Sequence, residues 1–136
     1  MAILKISFNK TLAFEGLYSN DKDDRGEETY KGIAYASNKD WAGWAIIHKY
    51  YGNAKFPACL ENDAQLQILV EQRYRHNYWN PIKGDELVKQ QMADYLFDTA
   101  VNNGVVTAIK MHQAALGLPQ TGVMDALTLT TSNKVK

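Results

Sequence analysis

A turn-rich acidic run divides this chain near its start. Between Leu17 and Glu28 lie Ser19, Asn20, Asp21, Asp23, Asp24 and Gly26, residue types that compete with the backbone for hydrogen bonds or admit tight turns, so little regular helix persists there. Thr29 to Ala36 then reads as a short strand. The two segments together predict a small β-hairpin or meander, the only convincing β-structure in the sequence. Before it, residues 7 to 16 predict a helix capped by Ser7 and ended by Gly16, with Phe8 and Leu12 on its apolar face and Glu15 on the same face.

After Ser37 the periodicity is helical. Asp40 to Tyr51 places Trp41, Trp44, Ala45 and His48 at helical spacing and ends at Gly52. A helix from near Asn62 carries Leu66, Leu69, Val70, Arg73 and Tyr74 toward Trp79, where Asn80 and Pro81 stop it. Asp85 is expected to cap a third, built on Val88, Met92, Tyr95, Leu96 and Thr99 and closed by Asn103 and Gly104. Val105 to Leu116 predicts a fourth, a Pro and Gly turn spans Leu118 to Val123, and Asp125 caps a last short helix. The expected fold class is therefore α+β, mainly α-helical, with a small β-hairpin after the first helix.

The length of 136 residues suits a single domain with one substantial core. Lys plus Arg equals Asp plus Glu at 15 each, so no whole-molecule field steers the chain toward nucleic acid or an anionic membrane. Cys59 stands alone, which rules out an intramolecular disulfide, and its expected place is that of a small buried hydrophobe. Residues 1 to 10 lack the apolar core and cleavage site of a signal peptide, and no stretch approaches the roughly 20 apolar residues of a membrane helix. The expectation is a monomer made in a reducing, cytoplasmic compartment. His48, His76 and His112 are far apart without a two-histidine helix motif, so neither zinc hydrolysis nor a serine triad has support, and no cofactor or metal is expected.

Glu15 is the residue that needs explaining. A carboxylate at the last turn of a helix faces the partly negative end of the macrodipole, and beside Phe8 and Leu12 it is also partly desolvated; both effects favour the protonated form. A glutamic acid kept protonated near neutral pH can donate a proton to a departing sugar oxygen. The plainer alternative is an exposed glutamate at a frayed helix end. Hydrolysis of a glycosidic bond usually needs a second carboxylate, and Asp21, Asp23, Asp24, Glu27 and Glu28 all compete for that part. A calcium loop starting at Asp21 is excluded, because Arg25 and Gly32 occupy positions that require a ligand and a bidentate glutamate.

The run Glu15-Gly16-Leu17-Tyr18-Ser19-Asn20, followed by Asp24-Arg25-Gly26-Glu27-Glu28-Thr29-Tyr30-Lys31-Gly32-Ile33, resembles the signature of glycoside hydrolase family 108, phage-type muramidases of which some are known as secretion activator proteins. The glutamate, tyrosine, aspartate, threonine and final glycine of that pattern match in order. Tyr74 to Ile82 and Leu96 to Gly104 resemble two later blocks of the family. Residues Val106 to Thr128 resemble the small peptidoglycan-binding module often found at its C-terminus, a packed helix pair being the equal alternative. Two positions depart from the pattern: Leu17 and Glu27 stand where the family has glycines. The hairpin is expected to differ in shape accordingly, with Glu27 adding negative charge near Asp24.

The resemblance implies a lysozyme-like catalytic region over residues 1–104 and a peptidoglycan-binding-like helical tail over 105–136, packed into the same domain. It also implies catalytic roles for Glu15, Asp24 and Thr29, on peptidoglycan glycan strands as substrate, with holin-assisted release to the cell wall. Tyr18, Tyr30, Tyr78, Trp79, Asp98 and Asn102 are the expected substrate contacts. The aromatic rings could carry the apolar face of a pyranose, although Tyr78 and Trp79 at helical spacing serve equally as core. Asp98 and Asn102, one turn apart, point either into a cleft or toward a cap at Gly104. The rival readings are a catalytically weak peptidoglycan-binding module and a regulatory protein of secretion.

Overall fold

A computed structural model describes residues 1–13, 18–20 and 28–136. They form two compact units, Met1–Ala13 with Tyr74–Lys136, and Phe14–Arg73.

In the first unit, helix α1 (Leu4–Leu12) packs against a longer helix, α4 (Gln90–Asn103). Ser7 is not the cap expected from the sequence. It sits mid-helix, and Ile3 precedes the first turn without a capping side chain. The buried stripe is Leu4, Ser7 and Thr11, while Phe8 and Leu12 are half-buried. The reason is a polar ladder between residues spaced by four on each helix. The Ile3 amide donates to Gln90 Oε1 at 2.7 Å, the Ser7 hydroxyl to Asp94 at 2.6 Å, and the Thr11 hydroxyl to Asp98 at 3.1 Å. Burial works against the Asp94 charge, but donors from Lys10, Ser7 and Gln90 outweigh it and hold the carboxyl below its usual range.

Asp85 also departs from its expected place. Its carboxylate accepts the Trp79 indole N–H at 2.9 Å and pairs with Arg75 at 3.2 Å, so α4 starts later, at Gln90, without a side-chain cap. Trp79 ends the π-turn Arg75–Trp79 and is fully buried against Phe97, their rings 5.9 Å apart. A Cβ on Gly84 would lie 2.2 Å from the Trp79 ring, so only glycine fits there. Helix α5 (Val105–Leu116) packs on α4, and Gly104 (φ +91°) separates the two. Asp125 caps α6 (Ala126–Lys134), its side chain accepting the Thr128 amide at 2.8 Å.

Fully buried Gln113 on α5 ties the following turn to α6. Its Nε2 lies 2.9 Å from the Thr121 hydroxyl, 3.0 Å from the Val123 carbonyl and 3.0 Å from the Thr128 hydroxyl, while its Oε1 accepts the Gly122 amide at 3.0 Å. Two amide hydrogens shared among three acceptors leave no room for another residue type. His112 is buried beside it, with Nε2 2.7 Å from the Ser132 hydroxyl, and burial lowers its pKa.

In the second unit, strands β1 (Tyr18–Asn20), β2 (Glu28–Tyr30) and β3 (Ile33–Ala34) form an antiparallel meander in that order. The single strand expected over 29–36 is thus two strands, folded back at Lys31 (φ +48°) and Gly32 (φ +82°). Positive φ at both residues of a two-residue loop matches the twist of the flanking strands. Pairing sets Tyr18 opposite Tyr30 and Asn20 opposite Glu28 on one face, with Ser19, Thr29 and Ala34 on the other. The Tyr30 face is the buried one: its hydroxyl donates to Glu61 at 2.7 Å and accepts from Gln67 at 3.0 Å.

Helix α2 (Gly43–Lys49) starts three residues later than the sequence suggests. Trp41 lies ahead of it, with its ring so close to Gly43 that a Cβ there would stand 2.4 Å away. Trp41 and Trp44 pack edge to face at 5.1 Å, and their N–H groups donate to the carbonyls of Leu69 and Asn38. Asp63 supports the start of α3 (Ala64–Tyr74) by accepting the Leu66 amide at 2.8 Å. Cys59 is half-buried rather than buried. Among the described residues no helix is long and apolar enough to cross a membrane.

Candidate functional site

Glu15 and Asp24, the two carboxylates singled out from the sequence, lie outside the described residues, as do the departures Leu17 and Glu27. Thr29 is described. It is the middle residue of β2, half-buried, on the sheet face opposite Glu28 and Tyr30.

The expected substrate contacts fall in several places. Tyr30 and Trp79 are fully buried; their polar ends are taken up by Glu61 and Asp85, so neither ring offers a face to a sugar. Tyr78 is half-buried with its ring 5.4 Å from Tyr74. Asp98 is exposed and accepts the Thr11 hydroxyl, and Asn102 donates to the Asp98 carbonyl at 2.8 Å, a bond within its own helix. Tyr18 packs edge-on against Phe56 at 4.9 Å and shares a hydrogen bond with the Tyr51 hydroxyl at 3.0 Å.

Tyr18 leads to a cluster that the sequence reading did not assemble. Asn20, Glu28, Tyr35, His48 and Tyr51 line an open cavity of about 300 Å³ within the second unit. Glu28 is 7% exposed, and a carboxylate so enclosed needs partners for its charge. It has two: Oε1 lies 2.6 Å from His48 Nε2, and Oε2 accepts the Tyr51 hydroxyl. Burial, and then the hydrogen bond to Glu28, push the Tyr51 pKa well up, so the phenol keeps its proton and remains a donor. Burial likewise raises Tyr18.

An aromatic wall backs these polar groups. Tyr35 meets Trp44 at 5.5 Å, Trp44 stacks on His48 at 6.3 Å, His48 faces Tyr51 at 5.0 Å, and Tyr51 meets Phe56 at 5.2 Å. Two signals for this arrangement were present in the sequence. Trp44, His48 and Tyr51 fall at i, i+4 and i+7, and strand alternation sets Glu28 on the same face as Tyr30. Among the described residues no group of three His, Cys, Asp or Glu side chains could hold a metal ion.

A family model described as Glycosyl hydrolase 108 matches residues 8–104, a span that includes Glu15, Asp24, Thr29 and the cavity cluster. Among solved structures, that of Brucella abortus SagA is similar with a TM-score of 0.66 and 27% identity, over 98% of this chain and 70% of that one. The two share an α+β lysozyme-like fold. A comparison with curated proteins gives no match.

Proposed function

Since this chain belongs to glycosyl hydrolase family 108, we propose that it is a peptidoglycan hydrolase, an N-acetylmuramidase that cuts the glycan backbone by general acid catalysis. Glu15 protonates the oxygen leaving the bond between N-acetylmuramic acid and N-acetylglucosamine. Asp24 orients the attacking water and stabilises the positive charge that develops on the sugar, and Thr29 helps to hold that water. The outcome is inversion, which calls for carboxyl groups roughly 6.5 to 9.5 Å apart so that water fits between them.

The observation that carries this reading is the ordered run of Glu15, Tyr18, Asp24, Thr29 and Gly32 inside the span matched by the family model. Thr29 supports it further. Strand alternation turns its side chain away from Tyr30, whose ring is committed to the core. A substrate-facing hydroxyl needs that freedom.

Turbidity of purified peptidoglycan, followed with the wild-type chain and with Glu15→Gln, tests the proposal once circular dichroism shows both to be folded. The wild type clears the suspension, Glu15→Gln is slowed by about 10²- to 10⁴-fold as expected for loss of a general acid, and mass spectrometry of the products shows muramic acid at the new reducing ends. Equal clearing by both chains, or products cut in the peptide stems, would overturn it.

A further inference from the structure

The glycosidase chemistry proposed above uses the Thr29 side of the sheet and leaves the Glu28 cavity on the other side unassigned. That cavity has the size and lining of a binding site. At about 300 Å³ it stands at the lower end of the range for small-molecule pockets, enough for one sugar ring and too small for an oligosaccharide. Tyr35, His48 and Tyr51 contribute aromatic rings to the lining, while Asn20, Glu28 and the Tyr51 hydroxyl supply donors and acceptors. That combination suits a pyranose, which is apolar on its ring faces and polar around its edge.

Hydrogen-bonding capacity narrows the ligand class. An unpaired carboxylate beside aromatic faces would attract an ammonium group. Glu28 is not unpaired, since His48 and Tyr51 occupy one oxygen each. What remains on each oxygen is a second lone pair, suited to a neutral hydroxyl or amide N–H. The cluster is also set before any ligand arrives, because the ring contacts from Tyr35 through Trp44 and His48 to Tyr51 fix its walls, and fixed walls lower the entropic cost of binding.

We propose that this cavity is a second carbohydrate site, which takes a single N-acetylhexosamine unit of a glycan strand apart from the bond being cut. The choice of sugar rests on the peptidoglycan reading above. A second grip on a repeating, insoluble polymer keeps the enzyme close to fresh bonds after each cut.

The test is a titration of the folded chain with free N-acetylglucosamine, followed by amide and side-chain NMR shifts. The expected result is saturable shifts at Asn20, Glu28, His48 and Tyr51 with a millimolar Kd. Tyr51→Ala should abolish them. Asn20→Ala, a change at an exposed position that spares the Glu28 contacts, should weaken binding by about three- to tenfold, the worth of one hydrogen bond. Glu15→Gln should leave binding unchanged, which separates this site from the catalytic one. Absence of shifts at these residues up to about 50 mM, equal binding by Asn20→Ala and the wild type, or a response to tetramethylammonium but not to the sugar would each overturn the proposal. Glu15-dependent wall lysis without binding here would sink the second site alone; binding here by a chain that does not lyse walls would uphold the site and sink the muramidase reading.

Discussion

Replacing Gln113 by leucine should destabilise the chain out of proportion to its small change in volume. The side chain is fully buried and serves four groups. Thr121 and Val123 are exposed and can turn to water. The Gly122 amide is buried and cannot, whereas the Thr128 hydroxyl keeps its bond to the Asp125 carboxylate. One buried donor stripped of its partner costs about 1–3 kcal/mol, and leucine returns part of that through apolar burial, leaving a net loss of about 1–2 kcal/mol. A chain of 136 residues has an unfolding entropy of about 0.3 kcal/mol/K, so the midpoint should fall by about 3–7 °C. Thermal unfolding followed by circular dichroism reads this directly, with Ala115→Ser on the exposed side of the same helix as the control. A drop no greater than about 2 °C would mean that the Gln113 bonds add nothing over water, and the reasoning would fail.

Two further outcomes concern stability. Gly84→Ala drives a methyl group to 2.2 Å from the buried Trp79 ring and should cost about 1–3 kcal/mol while shifting tryptophan fluorescence; a wild-type melting point would contradict the packing described. His112 has a folded pKa held below 6.5 by burial, so the unfolded chain binds the extra proton first. Stability is then full above about pH 6.5 and declines as pH falls through that value toward the lowered one. Urea midpoints between pH 7.5 and 5 should show the decline and His112→Gln should flatten it, whereas the same slope in both chains would assign it elsewhere. The lowered carboxyls of Asp63, Asp94 and Asp125 act at more acid pH, below the ordinary aspartate value of 3.8.

The elements that were legible from the sequence are those set by neighbours in the chain. Helix α5 begins and ends at Val105 and Leu116 as read, because Gly104 and Gly117 mark its ends with positive φ, and Asp125 caps α6 through a residue three places on. The start of α1 was not legible. Its buried stripe joins Leu4 to the polar Ser7 and Thr11, and the partners that make those two acceptable in a core are 87 residues away. Asp85 misled for the same reason, its carboxylate being claimed by an indole rather than by a helix end. At the site, helix-end placement drew notice to Glu15, whereas Asp24 and Thr29 were singled out by the family resemblance; Glu15 and Asp24 lie outside the described residues. The union of Glu28 with His48 and Tyr51 joins a strand to residues 20 and 23 positions on, which the local spacing of each segment signals only separately.

Strand β2 is three residues long, and its successive side chains serve different sides of the sheet. Inserting one residue between Glu28 and Thr29 would put Glu28 on the side opposite Tyr30, away from His48 and Tyr51. The segment from Glu28 to Ala34 should therefore accept changes of residue type more readily than changes of length. In a library of variants, in-frame indels here should be purged even where point substitutions survive.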